Sequence, residues 1–105
     1  MNYSYLGFVY AIKHPVTKDI AYIGSTRSPD DRFYQHCLVG GKSDVSFWIR
    51  LLKDHGLQPL FEILKVTSWH SMHDLEREEI FKHKSKGLLL LNRKQGGNKF
   101  KIINR

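Results

Sequence analysis

The sequence holds a single cysteine, Cys37, and only three prolines in 105 residues. A lone thiol excludes an internal disulfide framework and any zinc site built from several cysteines. Few prolines, with 41% hydrophobic and 26% charged residues, exclude the composition of a disordered chain. No apolar run approaches the ~20 residues of a membrane-spanning helix; the leucine run at 88–91 has four. The start, Met1-Asn2-Tyr3-Ser4-Tyr5, lacks the basic-then-apolar layout of a secretion signal. These absences predict one domain over residues 1–105, cytoplasmic, with no membrane partner and room for one modest core.

Acidic residues are also scarce, and unevenly so. There are 10 Asp and Glu against 17 Lys and Arg, a net charge of +7. From residue 82 onward the chain has no acid at all, whereas Lys82, Lys84, Lys86, Arg93, Lys94, Lys99, Lys101 and Arg105 are basic. The first 81 residues are close to neutral. A basic segment at 82–105 on a neutral body favours a polyanionic partner, most simply a nucleic acid.

Hydrophobic patterning divides the chain into short elements. Residues 6–13 (Leu-Gly-Phe-Val-Tyr-Ala-Ile-Lys) and 20–24 (Ile-Ala-Tyr-Ile-Gly) read as strands, and the Pro15 to Asp19 turn between them predicts a hairpin. Ser28-Pro29-Asp30-Asp31 has a hydroxyl to cap a helix, proline at its first position and acids in its first turn. That helix is expected to run to about Val39 and stop at Gly40-Gly41. Ser43 caps a second, with Val45, Trp48, Ile49, Leu51 and Leu52 at helical spacing up to Gly56. Residues 59–66 read as a central strand. Ser68 is expected to cap a third helix through about Lys86, ended by Gly87. Two further strands are expected at 88–91 and 100–103. The order predicts an α+β domain with a short sheet flanked by helices.

Several residues carry possible chemistry. Tyr10 and Tyr22 fall at matching depths of the hairpin, although tyrosine also serves in strands simply as a packing residue. Arg32 and His36, four apart, share one face of the first helix. Arginine can fork onto a phosphate, and histidine exchanges a proton near neutral pH. Glu76 lies midway between Met72 and Ile80 on an apolar stripe, where a carboxylate needs a partner or a metal. Glu78 and Glu79 are alternatives. His70 and His73 lack a third ligand of the type zinc requires. Cys37 and His36, being adjacent on a helix, do not face each other. Trp48, Trp69 and Phe81 read as packing aromatics.

Taken together, these fragments resemble the GIY-YIG nuclease family over about residues 5 to 98. The first family motif is similar to Phe8-Val9-Tyr10-Ala11-Ile12, and the second to Tyr22-Ile23-Gly24-Ser25-Thr26. Arg32 and His36 follow at the family's positions. Trp48-Ile49-Arg50, then Gly56 and Pro59, resemble the linking helix and third strand of one branch. Met72-x-x-x-Glu76-x-x-x-Ile80 resembles the metal-binding helix, and Asn92 the late asparagine. Two departures stand out. Phe8 replaces the first motif's glycine, with Gly7 one position early, and residues 41–44 stand where some members have a second histidine.

The resemblance implies a small, mostly antiparallel sheet flanked by three helices. It implies a metal-dependent DNA endonuclease leaving a 5′-phosphate and a 3′-hydroxyl. Tyr10, Tyr22, Arg32, His36, Glu76 and Asn92 would form the catalytic set, with Glu76 holding Mg²⁺ or Mn²⁺. Tyr10 is expected near the attacking water, with Tyr22 positioning it or sharing its role, and Asn92 orienting site groups or a phosphate. Lys82, Lys84, Lys86, Arg93, Lys94, Lys99 and Lys101 would track the DNA backbone without reading sequence. Low intrinsic specificity is expected, with selection left to a homodimer or a targeting protein partner. A binding module that has lost cleavage and an RNA-directed nuclease are the alternatives.

Overall fold

A computed structural model describes residues 5–38, 43–87 and 90–92. Three strands, β1 (Leu6–Lys13), β2 (Ile20–Thr26) and β3 (Leu60–Ser68), form one sheet in the order β2-β1-β3, antiparallel throughout. Three helices accompany them: α1 (Pro29–Cys37), α2 (Asp44–Asp54) and α3 (Met72–Ser85). The expected α+β fold, an antiparallel sheet with three helices, is the one formed. No helix among the described residues is long and apolar enough to cross a membrane.

The central strand is β1, whereas the sequence pointed to residues 59–66. The reason lies in burial of both faces, which demands apolar residues at every position. Val9, Tyr10, Ala11 and Ile12 are all buried, whereas no residue of β3 is, and Glu62 and Lys65 on it are exposed. Such charges suit an edge strand, where they discourage pairing with other chains. Lys13 Nζ on β1 bonds Glu62 Oε1 on β3 over 2.9 Å.

Alternation along β1 divides the core in two. Tyr10 and Ile12 face Val45 and Ile49 of α2, with Phe33 and Cys37 of α1 packed alongside. Val9 points the other way and meets Ile23 of β2 and Ile80 of α3. Thus α1 and α2 cover one face and α3 the other. Gly7 permits the last contact: a Cβ there would sit 2.8 Å from the Met72 Cβ and 2.9 Å from the Trp69 Cα.

The helix boundaries follow local chemistry with two corrections. Pro29 opens α1, but Ser28 makes no side-chain cap; its own N–H instead donates to Thr26 Oγ1 over 3.0 Å. Ser43 caps α2 as expected, accepting from Ser46 N–H over 3.1 Å. Ser68 does not start α3, because the long β1 keeps β3 paired through Leu6 opposite Ser68. Ser71 therefore takes the position before α3. Gly56 and Gly87, with φ of 76° and 85°, end α2 and α3 in the left-handed conformation glycine favours.

Phe81, expected to pack, is exposed, since α3 buries Met72, Glu79 and Ile80 instead. Leu90 and Leu91 form no strand, although Leu91 N–H donates to Ala21 C=O over 2.6 Å. The rest of the expected strand at 88–91, and all of that at 100–103, lies outside the described residues.

Candidate active site

β1 and β2 set the two tyrosines side by side on the face covered by α1 and α2. Their ring centroids are 6.3 Å apart, close enough for each phenol to act on the ionisation of the other. Gly24 makes room: a Cβ there would lie 2.5 Å from the Tyr10 Oη and 2.7 Å from its Cζ. A rigid ring cannot yield as a flexible chain end can. Gly24→Ala is therefore expected to destabilise the fold by about 1–3 kcal/mol through overpacking, read as a lower urea midpoint.

Arg32 and His36 reach this pair from one face of α1. His36 is buried, and its Nε2 is 2.8 Å from the Tyr10 Oη. Burial, then the neighbouring Arg32 guanidinium, lowers the His36 pKa from 6.5 to about 4, so the ring is neutral at neutral pH. Burial also pushes Tyr10 far above the ordinary tyrosine range, with Tyr22 adding to the rise. Tyr22 is raised by burial and by Glu76, while Arg32 and the neighbouring Tyr10 pull it down.

The two tyrosines differ in access. Tyr22, Arg32, Gln35 and His36 line a cavity of about 460 Å³, closed on the other side by residues 43–46 at the start of α2 and by Leu91. Tyr10, 1% exposed, lies behind this wall.

Glu76 approaches from α3, on the opposite face, around the β2 side of the sheet. Ser25 Oγ donates to its Oε1 over 2.5 Å, and its charge acts on both phenols. The other two glutamates lie elsewhere. Glu79 is buried but paired on its own helix, with Lys82 Nζ at 3.1 Å and His83 Nδ1 at 3.9 Å. Glu78 is exposed. Of the three, Glu76 alone is brought to the tyrosines. Its half-buried carboxylate, held by a serine hydroxyl and facing no lysine or arginine ion-pair partner within 4 Å among the described residues, offers the hard oxygen donor that a divalent cation takes.

Asn92 meets the strand that carries Tyr22. Its Oδ1 accepts from Ile23 N–H over 3.0 Å and its Nδ2 donates to Ile23 C=O over 2.6 Å. The side-chain amide thus mimics a neighbouring strand on the free edge of β2 and holds the Leu91 wall of the cavity. This ties it to backbone rather than to a phosphate. Asn92→Ala leaves both Ile23 groups without that partner and is expected to cost about 1–3 kcal/mol in a denaturant titration.

The predicted DNA-tracking residues are in part engaged locally. Lys82 pairs with Glu79, and Lys84 Nζ donates to the Asn92 carbonyl over 3.1 Å. Lys86 is exposed. Arg93, Lys94, Lys99 and Lys101 lie outside the described residues. Cys37 packs beneath the sheet, and Trp48 joins the same cluster. Trp69 is partly exposed beneath the Arg27 guanidinium, 4.6 Å from its ring centre.

Ser25 and Gln35 were missed in the sequence. A signal for Ser25 existed, since strand alternation turns it away from Tyr22 and towards α3. None existed for Gln35, which depends on α2 folding across from α1. No curated protein and no solved structure matches the chain. The sequence profile of the GIY-YIG catalytic domain, however, matches residues 6–94. The hairpin tyrosines, the α1 arginine and histidine and the α3 glutamate all fall within that span, and the chain belongs to the GIY-YIG catalytic domain family, a family of nucleases.

Proposed function

We propose that this protein is a divalent-metal-dependent endonuclease that hydrolyses DNA phosphodiester bonds with little intrinsic sequence preference. The observation that carries the reading is the grouping of Tyr22, Arg32 and His36 around one cavity, with Glu76 held by Ser25 on the strand that carries Tyr22. Opposite charges set around a weak acid suit a site that must bind a phosphate and ionise a nucleophile together.

Tyr22, which faces the cavity, takes the proton from the attacking water. Its phenol is too weak an acid to be a ready base at neutral pH, and burial makes it weaker still. Two features favour its phenolate. Arg32 attracts the charge, and a donor chain from His36 Nε2 through the Tyr10 hydroxyl supports the oxygen. Tyr10 is thus a positioning residue and Tyr22 the base, reversing the order expected from sequence. Arg32 also faces the charge that grows on the phosphate in the transition state. A Mg²⁺ or Mn²⁺ ion held by Glu76, waters and the scissile phosphate would neutralise charge on the leaving oxygen and offset the opposition of Glu76 to tyrosine ionisation. The hydrolysis leaves a 5′-phosphate and a 3′-hydroxyl. Basic residues from Lys86 onward supply salt-dependent affinity for the backbone.

Nicking of supercoiled plasmid with Mg²⁺, Mn²⁺ or EDTA tests the proposal. Metal-dependent relaxation by wild type, lost in Glu76→Gln, is the expected result. DNA binding with no cleavage in any metal would favour a binding module, and faster cleavage of matched RNA would favour an RNA-directed enzyme.

A further inference from the structure

Glu76 has two polar neighbours where α3 passes β2. Ser25 Oγ is 2.5 Å from Glu76 Oε1 and 3.2 Å from His73 Nδ1, and His73 Nδ1 is 3.8 Å from Glu76 Oε1. A circle through these three atoms has a radius of about 1.9 Å, just below the ~2.0–2.2 Å bonds that divalent ions make to imidazole nitrogen and carboxylate oxygen. One point slightly off the plane of the triangle is therefore at bonding distance from all three atoms at once.

Access and valence also fit. The His73 side chain is 69% exposed and that of Glu76 19%, so the point is open to solvent. A hydroxyl carries one proton and two lone pairs, so Ser25 Oγ can turn its proton away from Glu76 and offer a lone pair to an ion, while His73 Nδ1 offers its own in the tautomer protonated on Nε2. Three protein donors leave the other positions of a six-coordinate ion to water and to a phosphate oxygen.

We propose that His73 and Ser25 complete, with Glu76, a three-donor metal face of one nitrogen and two oxygens. The inference rests on the reading of Glu76 as the metal ligand and goes beyond it in naming which ions the site prefers. Mg²⁺ favours oxygen donors and gains little from imidazole, whereas affinity for a nitrogen-bearing site rises from Mn²⁺ through Co²⁺ to Ni²⁺. His73 therefore biases this chain towards transition-metal ions and away from Mg²⁺.

The test is ion binding by the full chain without DNA, measured by titration calorimetry with Ni²⁺ and Mg²⁺. Wild type, His73→Ala, Glu76→Gln and the double variant are compared, with circular dichroism to establish that each is folded. Wild type is expected to bind Ni²⁺ at least about tenfold more tightly than Mg²⁺. His73→Ala is expected to lose at least about tenfold in Ni²⁺ affinity with Mg²⁺ affinity nearly unchanged, and Glu76→Gln to weaken both ions. The double variant should bind Ni²⁺ at least as weakly as the weaker single variant. Wild-type Ni²⁺ affinity in His73→Ala would overturn the role of His73 and leave Glu76 as ligand. Ni²⁺ binding lost in His73→Ala but untouched by Glu76→Gln would place the histidine at a different site and overturn the triad. Unchanged binding of both ions in Glu76→Gln would remove the metal reading itself.

Discussion

Arg32→Ala is expected to lower plasmid nicking by roughly 10²–10³-fold, the usual loss when one preorganised donor to transition-state charge is removed. Arg32 is exposed, so its removal leaves the core intact and thermal unfolding near wild type. The effect belongs in kcat, because the charge it faces develops as the reaction proceeds. A second consequence follows from the tyrosines. Arg32 pulls Tyr22 down, so its loss moves the Tyr22 pKa further up and shifts the alkaline rise of the rate to higher pH. Arg32→Lys keeps the charge but lacks the planar fork, and is expected to recover the pH profile better than the rate. Steady-state nicking between pH 6 and 10 reads both effects. Full activity in Arg32→Ala with an unmoved profile would remove Arg32 from the mechanism.

Acidification is expected to destabilise the protein through His36. Its folded pKa of about 4 lies below the ordinary 6.5, because the buried ring is kept neutral beside Arg32. The unfolded chain binds a proton as pH falls through 6.5, whereas the native state does not until about pH 4. Stability is therefore complete above pH 6.5 and lost progressively down to about pH 4. The gap amounts to roughly 3 kcal/mol. Small domains are stable by only about 5–15 kcal/mol in total, so a loss of this size is readily seen. Urea midpoints at intervals from pH 7.5 to pH 4 provide the measurement. His36→Gln can still hydrogen-bond Tyr10 but does not titrate, and is expected to flatten that part of the curve. Parallel curves for the two proteins would show that His36 is not held neutral by the fold.

The elements of this fold were legible wherever local chemistry decides them. Pro29 and the acids after it mark α1, the Ser43 hydroxyl caps α2, and Gly56 and Gly87 adopt the positive φ that ends α2 and α3. Where pairing partners decide, local pattern misleads. Residues 59–66 look like a central strand in isolation, yet centrality depends on which strand is covered on both faces. Ser68 looks like a helix cap, but a β1 long enough to pair with it keeps it in the sheet.

The same division runs through the site. Tyr10, Tyr22, Arg32, His36 and Glu76 stood out through the resemblance to the family's motifs, and helix periodicity placed Arg32 and His36 on one face. Access was not legible there, because it arises from packing between segments far apart in sequence. Tyr10 is sealed behind His36 while Tyr22 opens onto the cavity. Asn92 is drawn to the Ile23 backbone 69 positions earlier, at a strand edge that exists only once the sheet has formed. The choice of Glu76 over Glu78 and Glu79 likewise awaited α3 docking by Ile80 against Val9 and Ile23, which turns Glu76 towards Ser25. Sequence by itself determined the family, the fold class and the chemical groups at hand. Tertiary structure decided which of those groups meet, because burial and charge at each one are set by neighbours that the linear order does not place beside it.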